Sequence, residues 1–205
     1  MQDDFTAADI DIAHRETAYQ GFFRVLRYRL KHRLFRGGWS ESLTREVFVR
    51  GDSVGVLLYD PQRSVVALAQ QFRVGCLGNA HGAWVWEVVA GMMAPDESAR
   101  DVAVREVAEE TGLQIDPAQL VPVCSYYSSP GGTDERLHLF CAVCDLPVGT
   151  GGVFGLPEEG EDIRVACFSC EEAFHAVQTG HFNNAATVIA LQWLQWQRHT
   201  GAVDA

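Results

Sequence analysis

The segment that most constrains this chain is residues 91–113, GMMAPDESARDVAVREVAEETGL. A strand-like run, WVWEVVAGMM, leads into it, a short loop follows, and residues 97–112 read as a helix beginning near Glu97. Ala99, Val102, Ala103 and Val107 give that helix an apolar side. Glu106, Glu109 and Glu110 stand at i, i+3 and i+4, so their carboxylates share one face. Like charges at this spacing repel and weaken a bare helix, so they are either left to water or met by a cation. Taken alone, three such glutamates read as a solvated acidic surface. The strand, glycine and loop ahead of them move the reading toward a cation site. Oxygen donors suit a hard ion, Mg²⁺ or Mn²⁺, rather than zinc. Arg105, one turn before Glu109, is placed to orient the cluster, and Gly112 ends the helix.

Around this segment the chain alternates strand and helix patterns. Residues 21–36, GFFRVLRYRLKHRLFR, interleave apolar and basic side chains and hold six of the 16 Lys and Arg residues. On composition alone this is a solvated strand face; the other reading is a surface that meets a phosphate ligand or an acidic partner subunit. REVFVRG, SVGVLLYD, SVVALAQQFRV, LVPVCSYYS and LHLFCAVCDL read as further strands, with Asp60-Pro61 marking a turn. Residues 148–161, VGTGGVFGLPEEGE, read as a long mobile loop. Asn184 is a good cap for a last helix whose apolar face includes Ile189, Leu191 and Leu194, with Trp193 and Trp196 as packing or interface residues. The layout implies a mixed sheet flanked by helices, α/β or α+β.

A net charge of -11 disfavours nucleic acid and anionic membranes as partners. Residues 1–15 lack the basic start and apolar core of a secretory signal, and no run approaches a membrane span, so a cytoplasmic protein with reduced thiols is expected. Its cysteines include two CxxC pairs, Cys141/Cys144 and Cys167/Cys170. Zinc would need each pair on a tight turn. Both lie in strand-like runs, where residues three apart face opposite sides, so they are expected to be buried structural thiols.

Gly91, Glu97, Arg105, Glu106, Val107, Glu109, Glu110, Gly112 and Leu113 fill every fixed place of the Nudix box, Gx₅Ex₇REUxEExGU with U a bulky aliphatic residue. The chain therefore resembles the Nudix hydrolases. Through RETAYQGFFRV, REVFVRG, QQFRVG, SSPGGTDER, PEEGEDIRV and NNAATVIALQWLQ it resembles their ADP-ribose pyrophosphatase branch, over most of its length. The resemblance implies a Nudix fold, an α/β/α sandwich with a mixed sheet. It implies an N-terminal β subdomain over residues 1–50 that exchanges between subunits of a homodimer, and a hydrolase domain over 51–205. It also reverses the solvated reading of the basic N-terminal strands.

The implied activity is Mg²⁺-dependent hydrolysis of ADP-ribose to AMP and ribose 5-phosphate, with Mn²⁺ as a possible substitute. The resemblance assigns the metal to Glu106, Glu110, Glu161 and the backbone carbonyl of Ala90, with Glu109 as an outer ligand or orienting group. Glu159 is the expected general base, with Glu158 and Asp162 as alternatives in the same loop. Arg73 is expected to grip the pyrophosphate and Met92 to line the same site. Phe22, Phe23, Arg45, Arg50, Ser129 and Glu135 are expected around the adenosine half, some from the partner subunit. Two other functions fit the same motifs: a pyrophosphatase for another sugar nucleotide such as GDP-mannose, and a non-catalytic module that binds ADP-ribose to regulate something.

Overall fold

The computed structural model describes residues 5–156 and 160–201. Eleven strands and three α-helices are present among these residues. In chain order the strands are β1 (Ile10–Gln20), β2 (Arg24–His32), β3 (Leu43–Val49), β4 (Asp52–Asp60), β5 (Val65–Phe72), β6 (Trp84–Glu87), β7 (Val89–Met92), β8 (Leu120–Tyr127), β9 (Arg136–Val143), β10 (Gly152–Phe154) and β11 (Ile163–Ser169). Helix α1 spans Ala99–Thr111 and lies between β7 and β8; α2 (Cys170–Gln178) and α3 (Ala185–Thr200) follow β11. The chain divides into two compact units: the residues up to Gly51 together with Tyr127–Glu135, and Asp52–Tyr126 together with Arg136 onward.

The first unit carries an antiparallel three-stranded sheet in the order β1-β2-β3. Its middle strand alternates as the sequence implies, with Leu26 buried and Arg27 on the other side, ion-paired to Glu16 and Glu46 on the flanking strands. The sequence reading did not foresee β1. None of its residues is buried, so the alternation that reveals a half-buried strand is not imposed on it.

The second unit holds a mixed sheet in the order β10-β11-β5-β4-β9-β8, with β6 on β5 and β7 on β4; the β4–β9 pairing is parallel. Strand β4 is apolar on both faces because each face meets a helical layer. Val54, Val56 and Leu58 pack with Val102, Ala103 and Val107 of α1. Leu57 and Tyr59 pack with Ala190, Leu191 and Leu194 of α3 and Ala173 of α2. Burying each such aliphatic side chain stabilises the fold by about 1.5–3 kcal/mol. Mixed sheet and two helical layers are the architecture expected from the sequence.

The details refine the expectation. WVWEVVAGMM breaks at Val88 into β6, which pairs with β5, and β7, which pairs with β4. Residues 148–161 are not one long loop, since β10 pairs with β11 within them. Helix α2 was not foreseen; it is short, although Ser169 and Glu172 form its capping box. Only one member of each CxxC pair is on a strand, Cys141 in β9 and Cys167 in β11, while Cys144 follows β9 and Cys170 opens α2. Cys141 and Cys170 join the α2/α3 layer, while Cys144 and Cys167 pack against the α1 layer. None of the six cysteines is in a disulfide; burial pushes the Cys141 thiol far up and that of Cys144 to about 11, so both are protonated packing groups.

Candidate active site

Helix α1 starts at Ala99 rather than near Glu97, because Ser98 caps it by accepting the backbone N–H of Asp101 at 3.2 Å. Glu97 stays in the preceding loop, where one carboxylate oxygen accepts the N–H of Ala94 at 2.8 Å and the other lies 3.5 Å from Nε of Arg105. At the far end Gly112 is left-handed, φ 70°, and its N–H donates to the carbonyl of Ala108. The apolar side of α1 packs on β4, which leaves its acidic side beside β7.

There the glutamates differ. Arg105 donates through Nη1 to Glu106 at 2.7 Å and to Glu109 at 3.1 Å. Burial alone would lower the Arg105 pKa; Glu106, Glu109 and Glu97 outweigh it and hold the guanidinium charged. Glu110 is 4% exposed and has no such cation. Burial pushes its carboxyl up to about 8, the charges of Glu106 and Glu161 add to that, and the backbone of Ala90 and the charge of Arg73 oppose it. Glu106 is likewise raised, first by burial, with Arg105 opposing and Glu109 and Glu161 reinforcing. Glu161, after β10, accepts the N–H of Leu156 at 3.1 Å. Thus Glu106, Glu110 and Glu161 form one electrostatic cluster contributed by two separate parts of the chain.

Gly91 belongs to the same cluster for a steric reason. Its backbone is not left-handed, yet a Cβ there would fall onto the carboxyl of Glu106. Only glycine lets the helix carboxylate lie against β7. Ala90, beside it, pairs with Gly55 of β4, and Met92 closes β7 half-exposed. Arg73 follows β5 and donates through Nε to Glu87 of β6 at 2.7 Å. Its charge weakly opposes the rise of the Glu110 carboxyl.

An all-oxygen cluster carrying an uncompensated, buried carboxyl has the chemistry to hold a hard divalent cation. Among the described residues no three such side chains are arranged as a finished metal cage, and Glu106 is ion-paired to Arg105. Glu158 and Glu159 lie outside the described residues.

The first unit gathers several of the other expected residues. Phe23 stacks edge-on with the exposed Phe22 and, tilted, with Phe48, both at 4.8 Å between centroids. Arg50 lies 5.2 Å over the Phe23 ring and pairs with Glu135 at 3.2 Å. Ser129 starts the turn that carries Glu135, its carbonyl accepting the N–H groups of Gly132 and Thr133. Arg45 is not drawn into this group. It stands at odd spacing from Phe48 and Arg50, hence on the other face of β3, with a guanidinium N–H on the carbonyl of Thr44.

Sequence reasoning passed over Glu87 and Asn184, which hold Arg73 from behind. The available signal was an acidic residue inside an apolar strand run, WVWEVV.

This strand, glycine, capped helix and acidic face define the class. The NUDIX domain family matches residues 49–191, and the chain belongs to that family. It is 44% identical over 191 residues to an ADP-ribose pyrophosphatase of Escherichia coli strain K12, covering 93% of this chain and 90% of that one. It is 40% identical to an ADP-ribose pyrophosphatase of Haemophilus influenzae, covering 93% and 88%. A GDP-mannose pyrophosphatase of Cronobacter sakazakii is 38% identical over 74% of this chain and 77% of its own. A crystal structure of an ADP compounds hydrolase superposes with a TM-score of 0.70 at 19% identity, covering 95% of this chain and 97% of that one, and shares the fold.

Proposed function

We propose that this protein hydrolyses ADP-ribose at its pyrophosphate bond, water adding to one phosphorus to release AMP and ribose 5-phosphate, with Mg²⁺ as the working ion. The observation that carries this is the buried Glu110 set among Glu106 and Glu161 with Arg73 alongside, a cluster whose excess negative charge calls for a divalent cation. Support for the substrate comes from the relatives: identity to the ADP-ribose pyrophosphatases is higher and extends over more of the chain than identity to the GDP-mannose pyrophosphatases.

In this reading Glu106, Glu110, Glu161 and the Ala90 carbonyl hold the ion, and Glu109 orients them through Arg105. A bound divalent cation would offset charge building on the diphosphate oxygens. Arg73 grips the diphosphate, and Met92 lines its pocket. A carboxylate oxygen of Glu159 takes the proton of the attacking water. Phe22, Phe23, Arg50, Ser129 and Glu135 receive the adenosine half, with Arg45 contributing to it from the second subunit of a homodimer. Exposed Ile10, Ile12 and Tyr19 on β1 support such an association. The first 50 residues would form the exchanging arm and residues 51–205 the hydrolase domain. Six cysteines without a disulfide suit a cytoplasmic setting, and no helix among the described residues is long and apolar enough to cross a membrane.

GDP-mannose remains the second reading because relatives with that name match between 74% and 91% of the chain. The complete set of box glutamates speaks against a purely regulatory binder. Hydrolysis in ¹⁸O-water, with ADP-ribose and GDP-mannose compared at saturating Mg²⁺, tests substrate and reaction together. ADP-ribose is expected to be the better substrate, with one ¹⁸O in AMP or in ribose 5-phosphate. Faster turnover of GDP-mannose would replace the substrate, and binding with no turnover under Mg²⁺ or Mn²⁺ would replace the reaction.

A further inference from the structure

Glu87 presents a problem that the cation cluster does not solve. It is a carboxylate 8% exposed inside an apolar strand, and burial pushes its pKa up, opposed by Arg73 and Asn184. Leaving water is expensive for such a group unless its oxygens are fully engaged. Both are. Oε2 accepts from Nε of Arg73 at 2.7 Å, and Oε1 accepts from Nδ2 of Asn184, also at 2.7 Å.

Asn184 is itself fixed. It is the N-cap of α3, its Oδ1 accepting the N–H of Thr187 at 3.2 Å. Thr187, fully buried, accepts the N–H of Val88 through its hydroxyl at 2.9 Å. The start of α3 is therefore tied to the end of β6 and to the break at Val88, and Glu87 is held with its second oxygen on Arg73. Engaging Arg73 through Nε leaves the terminal nitrogens of the guanidinium as the donors that can face a ligand.

We infer that Glu87, anchored by Asn184 at the cap of α3, is the positioning residue that presents Arg73 to the substrate diphosphate. The inference rests on the proposed role of Arg73 and extends the site to a helix otherwise concerned only with packing. A freely rotating arginine would have to be ordered at each binding event; this one is ordered beforehand.

Glu87→Gln separates positioning from filling space. The glutamine oxygen still accepts from Arg73, but its NH₂ then faces the NH₂ of Asn184, two donors opposed. Turning Asn184 to relieve that would withdraw the oxygen that caps α3. One tether is lost while volume is kept. The test is a double-mutant cycle of Arg73→Ala and Glu87→Gln. It is read as kcat/KM on ADP-ribose at saturating Mg²⁺, and as calorimetric affinity for a non-hydrolysable methylene analogue of ADP-ribose. Glu87→Gln is expected to lower both between about 10- and 100-fold, and to have no more than about a twofold further effect once Arg73 is alanine. Equal losses in the two backgrounds, or wild-type values in Glu87→Gln, would overturn the inference. Wild-type values in Arg73→Ala would overturn it too, by removing Arg73 from the diphosphate. Failure of the wild type to turn over or bind would instead strike the functional reading. Should Glu87→Gln not fold, Asn184→Ser replaces it in the same cycle: serine keeps the cap and is too short to hold Glu87, so the same dependence on Arg73 is required.

Discussion

Strands β4 and β1 are of similar length and could hardly be more different. In β4 every residue after Asp52 is buried, while in the 11 residues of β1 none is. The central strand is complete within its own unit, since α1 covers one face and α2 and α3 the other. The outer strand carries Ile10, Ile12 and Tyr19, each about half exposed or more, at the edge of a three-stranded sheet. Long exposed edges with apolar side chains are sites of pairing with another chain. The difference teaches that burial in one unit is complete within the chain, while the other leaves a long apolar strand edge exposed.

The largest expected effect tests the first half of that contrast. Glu110→Gln should lower kcat by at least about 10³-fold, several kcal/mol of lost charge stabilisation, while the melting curve stays cooperative. Its pH behaviour should separate charge from packing. Because the Glu110 carboxyl is raised from 4.5 to about 8, the metal-free folded protein holds a proton that the unfolded chain releases. This stabilisation is fully present below about pH 4.5 and lost as pH rises toward 8. Glu110→Gln should flatten that part of the melting profile, and Mg²⁺ should restore stability at pH 8 in the wild type only. Near-normal activity in the variant would remove α1 from the ion site.

Next in size, Glu159→Gln should reduce kcat by on the order of 10²–10⁴ without altering Mg²⁺ affinity. If Glu158→Gln is the crippled variant, the base sits one residue earlier. Leu58→Ala, in the buried strand, should cost about 2–5 kcal/mol in denaturant unfolding. Tyr19→Lys in β1 should change intrinsic stability by less than about 0.5 kcal/mol. It should nevertheless shift the protein toward monomer in analytical ultracentrifugation. A large loss of stability without a change of mass would mean that β1 is covered within its own subunit.

The same contrast explains what could be read from the sequence. The α1 segment was legible because its signals act locally, the spacing of the glutamates and Gly112 at the helix end, although the start near Glu97 overlooked the Ser98 cap. Strands β4 and β5 were legible from their apolar runs. β1 was not, because a strand free of burial has no periodicity to enforce. The Arg73–Glu87–Asn184 chain was not, because its members are brought together by the β5–β6 hairpin and by α3, over separations of 14 and 97 residues. That Arg45 and Phe48 face apart follows from strand alternation and was within reach of the sequence. The choice between Glu158 and Glu159 as the base falls outside the described residues.

Arg105 has a consequence for how such a protein lives with a changing ion supply. Its single guanidinium pairs with Glu97, Glu106 and Glu109 from within the chain and offsets part of their charge. Most of the acidic face therefore has an internal understudy for its inorganic partner. Folding need not wait for loading, and chelation should yield a dormant but intact protein that revives on readdition of the ion. The switch between those states would be the transfer of one carboxylate, Glu106, from an organic cation to a mineral one.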